Sequence, residues 1–172
     1  MTLTVRVISP KEAQSHLEAL ASILADCVEG GASVSFMPPF GQDEAKAWWP
    51  KIFASMRQGE TILLGAFEGT ELVGTVQLAP AGIPNQTHRA DIRKVLVHRR
   101  ARNAGAGAAL MRAAEEEARK RGMTLLTLDT ATGGAAERLY RRLGWTFVGV
   151  IPNYALYPDG RPCDTSIFWK AL

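Results

Sequence analysis

The run Arg102-Asn103-Ala104-Gly105-Ala106-Gly107-Ala108 sets a cation, glycines and small side chains between an apolar stretch and a long amphipathic one. With no Cβ at Gly105 or Gly107, successive amide N–H groups can converge on an anion, and a helix opening there adds its positive end. The chemistry this points to is the grip of a phosphate or pyrophosphate. Two rival roles compete with it. The glycines could serve only tight packing of strand against helix. A dinucleotide-binding turn is the second, because Asp129 ends the next strand at about the distance of a ribose-binding acid. That turn fails on three grounds: Leu110 stands where it needs its third glycine, His98-Arg99-Arg100-Ala101-Arg102 separates strand from glycines, and no second half of such a fold follows.

The surviving pattern, Arg102-x-x-Gly105-x-Gly107, resembles motif A of the GNAT superfamily of acyl-CoA-dependent N-acetyltransferases. Downstream, Ala136-Glu137-Arg138-Leu139-Tyr140-Arg141-Arg142-Leu143-Gly144-Trp145 is similar to the family's helix-to-strand segment, whose tyrosine lies near the coenzyme sulfur. The resemblance runs from Thr4 to Leu172 and departs at Gly133, where the family often has an asparagine that touches the coenzyme. Gly30-Gly31-Ala32-Ser33-Val34-Ser35-Phe36-Met37, Leu128-Asp129-Thr130 and Pro158-Asp159-Gly160-Arg161 look like segments of the tabtoxin-resistance type, whose acceptor is an amino-acid-like antibiotic.

This resemblance implies an α/β (α+β) GNAT fold, a mixed, mostly antiparallel twisted sheet of about seven strands flanked by about four helices. It implies acetyl-CoA as cosubstrate, no metal, and acetyl transfer to a primary amine by direct attack. The coenzyme would be held by Val95, Leu96, Val97, Arg102, Asn103, Ala104, Gly105, Ala106, Gly107, Ala108, Tyr140 and Arg142. In this scheme the pantetheine arm bonds like an extra strand to Val95 and Val97, and the amide of Leu96 supports the oxyanion. Of Arg141 and Arg142, one is expected to meet phosphate and the other solvent.

An amine with a pKa of about 10.4 must lose a proton before it attacks. Asp91 stands in the register that histone-type members of the superfamily use for a catalytic glutamate. Asp129 sits at the carboxyl end of a strand in a Leu-Asp-Thr setting, where open α/β sheets place ligands. Both stay candidates, and each could instead bind the ammonium or cap amides. Tyr140 is the candidate general acid for the departing thiolate, its phenol pKa of about 10 lying above the thiol's 8.5 or so. A core tyrosine is the alternative. Acceptor contacts are expected from Ser33, Ser35, Phe36, Trp49, His88, Asp91, Asn153 and Tyr154. Trp48 and Trp49 are adjacent on a helix and cannot face the same way, so at least one belongs to the core. The isolated His88 competes with a plain surface turn.

The elements that must position these groups follow from periodicity and punctuation. Thr4 to Ile8 alternates as a strand, and one helix from Pro10 carries Leu17, Leu20, Ile23, Leu24 and Cys27 on one face until Gly30-Gly31 ends it. A long connection through Phe36 to Gly41 leads to a helix from about Asp43 to Gln58. Strands at Thr61–Phe67 and Leu72–Leu78 form a hairpin about Glu68-Gly69-Thr70-Glu71. After Pro80–Thr87 come a strand at Asp91–Val97 and a helix from Ala104 to Arg121 before Gly122. Leu110, Met111, Ala114 and Ala118 form that helix's apolar stripe; Glu115 with Arg119, Glu116 with Lys120 and Glu117 with Arg121 read as a solvated face. A strand at Thr124–Asp129, a helix near Ala135–Leu143, and a hairpin of Thr146–Asn153 and Thr165–Trp169 around Tyr157-Pro158-Asp159-Gly160 complete the order.

Composition bounds the functions further. At 172 residues and 47% hydrophobic, residues 1–172 read as one domain with a sizeable core. Apolar runs are too short to cross a bilayer and the amino terminus lacks a hydrophobic signal region, so a cytoplasmic protein without a membrane role is expected. Cys27 and Cys163 have no metal-ligand spacing and are read as reduced packing residues. The net charge of +3, with Arg99, Arg100 and Arg102 clustered, is accounted for by coenzyme phosphates. Nucleic acid is excluded for want of interleaved aromatics or a recognition helix. A homodimer stays open. The competing functions are acetylation of a protein amino terminus or lysine, and an acyl-CoA sensor that does not turn over.

Overall fold

The computed structural model describes residues 2–172. In chain order the elements are β1 (Leu3–Ile8), α1 (Pro10–Ser15), α2 (Leu17–Glu29), α3 (Gln42–Arg57), β2 (Ile62–Glu68), β3 (Glu71–Pro80), β4 (Arg89–Val97), α4 (Ala106–Lys120), β5 (Leu125–Ala131), α5 (Ala135–Arg142), β6 (Thr146–Leu156) and β7 (Pro162–Ala171). They form a 7-stranded sheet in the order β1-β2-β3-β4-β5-β7-β6. Every neighbouring pair is antiparallel except β4 with β5, the strands joined by the α4 crossover. This is the mixed α/β sheet that the sequence implies.

Differences from the expected elements have local causes. The first helix is broken at His16 (φ −97, ψ 14), whose amide bonds back to Glu12 and Ala13 carbonyls and so caps α1 while opening α2. Helix α4 starts at Ala106 rather than Ala104, because Asn103 (φ 62) and Gly105 (φ 85) hold left-handed backbone that no right-handed helix contains. The terminal strands run on to Leu156 and back from Pro162, making a longer arm than alternation suggests.

Apolar side chains fill both sides of the sheet. On one, Leu110, Met111, Ala114 and Ala118 of α4 pack with Ile92, Leu126 and Phe168; on the other, Leu20, Leu24, Trp49 and Phe53 pack with Leu63, Leu72 and Leu96. A one-residue bulge in β4 divides Ile92 from Leu96. Gln77 pairs with Arg93 but Thr75 pairs with Leu96, and Lys94 takes up the extra residue at φ 50.

The solvated face expected of α4 is corrected at Glu115. Its residue is 5% exposed, and its carboxylate accepts from Trp145 Nε1 at 3.0 Å and from Lys170 Nζ at 2.8 Å. Trp145 and Lys170 come from distant parts of the chain, so a local pairing rule could not find this contact. Glu117 with Arg121, 2.7 Å apart, behaves as the helix spacing predicts.

One consequence of the topology positions the site. Strand β4 pairs with β5 only over Arg89–Asp91, against Leu125–Thr127. Beyond that point β4 continues along β3 to Val97, and β5 continues along β7 to Ala131. The sheet therefore opens between β4 and β5, and the gap widens toward the carboxyl ends of both strands.

Candidate active site

A cleft of about 1800 Å³ occupies this opening. At one end, Arg102, Asn103, Gly105, Ala106, Gly107 and Ala108 line it, so the first turn of α4 faces into the cleft with its amides not yet committed to helix bonds. Ala104 is not part of the lining. The two glycines have different physical roles. Gly105 supplies the positive φ, with open space where a Cβ would be, whereas a Cβ on Gly107 would sit 3.1 Å from Leu139 Cδ2 on α5. The packing alternative thus describes Gly107, and the left-handed turn that leads into α4 depends on Gly105.

The basic cluster divides in a way its spacing does not reveal. Arg99 pairs with Asp26 and with Glu29, and Arg100 pairs with Glu71 at 2.7 Å, so neither belongs to the lining. The expectation that the whole cluster meets phosphate is corrected: acidic partners on α2 and β3 hold those two side chains. Arg102 lines the cleft, its Nε donating to the Val97 carbonyl at 3.1 Å. Arg142 on α5 also lines the cleft and makes no ion pair among the described residues, whereas Arg141 is held by Glu137 at 2.7 Å. Val95, Leu96 and Val97 form the β4 wall between these cations and the centre.

At the centre, Tyr140 of α5 and Asp129 of β5 both line the cleft. Tyr140 is buried against Trp145 and Phe168, with ring centroids 6.2 Å from each. Burial pushes its phenol well above the usual range and the Asp129 carboxylate pushes it further, so the hydroxyl remains a donor at any working pH. Asp129 accepts from Thr165 Oγ1 at 3.1 Å and keeps a face to the cleft. Asp91 is placed differently. It accepts from Arg89 (2.8 Å), Arg93 (3.0 Å) and Thr127, and lines an adjoining cavity of about 280 Å³ that shares Arg93, Asp129 and Tyr154 with the cleft. Burial pushes its carboxyl up, but the Thr127 and Arg93 hydrogen bonds and the two arginine charges outweigh this and hold it low. A carboxylate with its lone pairs so engaged is a weak proton acceptor.

Sequence reasoning missed Lys94, which the bulge turns into the cleft. Its Nζ donates to Ser35 Oγ at 2.9 Å and lies 5.6 Å from the Phe36 ring centroid. Burial lowers the pKa of its ammonium, and nearby Asp129 opposes that shift. Only the broken alternation of Arg93-Lys94-Val95 could have signalled it. Cys27 and Gln77 also line the cleft, and nothing in their sequence surroundings points there. Both cysteines are buried free thiols, and burial raises that of Cys27 while Arg102 works against it.

The acceptor-side expectations divide along the same boundary. Ser33, Ser35, Phe36 and Tyr154 line the cleft. Ser33 Oγ donates to the Leu156 carbonyl at 2.8 Å, tying the loop after α2 to the terminal hairpin. Phe36 packs on Phe40 and Trp48, at 4.4 and 5.3 Å between centroids. Trp49 has 0% exposure and belongs to the core, which corrects its expected contact with the acceptor, whereas its neighbour Trp48 lines the cleft. His88 sits on an exposed turn where its carbonyl accepts from Thr124 and Leu125 amides, and it lines neither cavity. Asn153 is likewise outside both linings; its φ of 54 and its amide bond to Asp164 Oδ1 at 2.8 Å mark an irregularity in β6.

With this geometry in place, comparison with known proteins defines the class. The model of the Acetyltransferase (GNAT) family matches residues 18–145, and the chain belongs to that family. Solved structures share the fold across nearly all of it. A GNAT superfamily phosphinothricin acetyltransferase from Sinorhizobium meliloti in complex with AcCoA has a TM-score of 0.83 at 18% identity, covering 100% of this chain and 89% of that one. Ribosomal-protein-alanine N-acetyltransferase from Brucella melitensis has a TM-score of 0.79 at 24% identity, covering 98% and 99%. An N-acetyltransferase from Staphylococcus aureus Mu50 has a TM-score of 0.81 at 17% identity, covering 99% of each chain. Among the described residues, no helix is long and apolar enough to cross a membrane.

Proposed function

We propose that the protein is an acetyl-CoA-dependent N-acetyltransferase that acetylates the primary amine of a small, amino-acid-like molecule by direct attack. The observation that carries this reading is that Asp129 and Tyr140 line the same cleft, at the opening between β4 and β5, as the first turn of α4. The cleft suits the cosubstrate. Its α4 end offers uncommitted amides, a left-handed Gly105 and the unpaired Arg142 for a diphosphate, and the unpaired edge of β4 beyond Asp91 offers main-chain partners to an extended arm.

Asp129 takes a proton from the acceptor ammonium, directly or through water, and the neutral nitrogen attacks the thioester carbon. The Leu96 amide supports the oxyanion, a role commonly worth about 3 kcal/mol. When the carbon–sulfur bond breaks, the electron pair leaves with sulfur. Tyr140 donates a hydrogen bond to that thiolate. Since burial lifts its phenol further above a thiol, complete proton transfer is uphill. The sulfur therefore takes its proton from solvent, and the new amide nitrogen gives up its own.

A small acceptor is favoured by the mouth of the cleft. The Ser33–Leu156 bond and the Lys94–Ser35 bond draw the loop after α2 toward the terminal hairpin and toward β4, which narrows the space open to an extended peptide. Thiol release from acetyl-CoA, measured with a panel of amino acids, antibiotic-like amines and peptides, tests this. Turnover confined to peptides would replace the reading with protein acetylation. Binding of acetyl-CoA with no thiol released by any acceptor would make the chain a sensor.

A further inference from the structure

We infer that Gln77 reads a neutral hydrogen-bond-accepting group, such as an amide or ketone oxygen, at the non-reacting end of the acceptor. This rests on the acetyltransferase reading of the cleft and extends it to the acceptor's tail. Gln77 is 4% exposed, and its side-chain amide nitrogen is closed to solvent and has no hydrogen-bond partner, so a half-turn of the amide, which breaks no side-chain hydrogen bond, presents the donor to the cleft. Such an orphan donor is costly, of the order of 1–3 kcal/mol, and asks for an explanation. Trp49 Nε1 and Thr75 Oγ1 are the other buried side-chain atoms without partners among the described residues, but neither residue lines the cleft, whereas Gln77 does.

The register places Gln77 in line with the chemistry. Gln77 pairs with Arg93, and the Asp91–Thr127 pairing next to it puts Asp129 in the same transverse row and on the same face, across the opening. Two strand spacings would make this roughly 10 Å between main chains in a closed sheet, and the opening between β4 and β5 adds room for a small molecule between the two side chains. Around Gln77 the lining includes Ile52 and Ser55 of α3, Thr61 just before β2, and Ile92 of β4. Ser55 and Thr61 satisfy each other at 2.7 Å, which leaves Gln77 as the buried, unengaged donor of that end, while Lys51, Gln58 and Glu60 line it from exposed positions. A neutral donor held at that depth offsets the desolvation of a carbonyl oxygen but not of a full charge.

The test compares acceptors of matched length on the wild-type enzyme, Gln77→Met and Gln77→Glu: L-glutamine against L-norleucine, and alanyl-alaninamide against an n-alkylamine. Gln77→Met should raise KM for the carbonyl-bearing member of a pair roughly tenfold. KM for the aliphatic member and for acetyl-CoA should stay unchanged, and resistance to urea should be equal or greater. Gln77→Glu, checked for folding in the same way, should also lose the carbonyl preference. Equal KM changes for both members of each pair, or no change, overturn the inference while leaving acetyl transfer intact. So does a marked loss of stability in Gln77→Met, which would show that the amide already has a partner within the protein. If the wild-type enzyme releases no thiol with any of these amines, the underlying reading falls and this one with it.

Discussion

Ile92 and Leu96 share parity along β4 yet pack into opposite cores, Ile92 beneath α4 and Leu96 against the α1–α3 layer. The residue between them that makes this possible, Lys94, holds a positive φ that costs an L side chain about 1–2 kcal/mol. Lys94→Gly should therefore keep or gain stability despite losing the bond to Ser35, whereas Lys94→Val should lose about 2 kcal/mol, since a β-branched residue fits that backbone worst. Urea denaturation of the two variants checks this, and equal effects would show that the bulge is not held at this residue.

At the other end of the cleft, Gly105 has open space for a side chain but a φ that disfavours one. Gly105→Val should accordingly leave the fold standing and weaken acetyl-CoA binding by about tenfold or more, because relaxing the backbone re-aims the first amides of α4. Calorimetric titration with acetyl-CoA measures it. An unchanged affinity would remove the amide cradle from the binding account.

Tyr140→Phe removes one hydroxyl and no packing volume. If that hydroxyl stabilises the departing sulfur, kcat should fall about tenfold or more while KM for acetyl-CoA moves little, as expected for an interaction made in the transition state. Because the phenol is raised so far, the wild-type pH–rate profile should show no alkaline limb from this residue below about pH 10. Steady-state kinetics across pH tests both points.

Asp129 and Asp91 should separate cleanly. Asp129→Asn should lower kcat by about a hundredfold, the lower end for loss of a general base, and Asp91→Asn should leave kcat within a few-fold. The effect of Asp91 lies in stability. Its folded-state carboxyl is held low by Thr127, Arg93 and Arg89, so its contribution is present above the unfolded value near 4 and fades as pH falls through the folded one. Removing it should lower stability at neutrality and flatten the acid limb of a stability-against-pH curve, the variant and wild-type curves converging at low pH. A large turnover loss in Asp91→Asn would reverse the two assignments.

Glu115→Ala strips the partner from Lys170 and from the indole of Trp145 at once. A loss of about 3–5 kcal/mol is expected in chemical denaturation, with Glu115→Gln losing less because it can still accept from the indole.

Much of this architecture was legible in the chain. Periodicity at Leu110, Met111, Ala114 and Ala118 and the punctuation around Gly30 and Gly122 fix where helices lie, since burial of an apolar stripe and left-handed caps leave local marks. The left-handed turn at Gly105 was legible for the same reason. What escaped is what depends on partners far away in sequence. Glu115 looked solvated until Trp145 and Lys170 came to it, and Arg99 and Arg100 looked free until Asp26, Glu29 and Glu71 met them. Lys94 entered the cleft through a bulge, which shifts every later side chain of β4 to the other face without any glycine or proline to announce it. Trp48 and Trp49 could be told apart only once the α3 face against the sheet was known.

Strand β7 lies between β5 and β6, although it follows both in the chain, and its Thr165 holds Asp129 while its Lys170 reaches back to α4. During synthesis on a ribosome, everything before it can emerge and begin to collapse, but a slot remains beside β5 until this segment threads in. A nascent chain arrested before that moment would carry the Gly105 turn yet lack the Thr165 hydroxyl that Asp129 accepts from, so the cleft is completed in a single late step rather than growing with length.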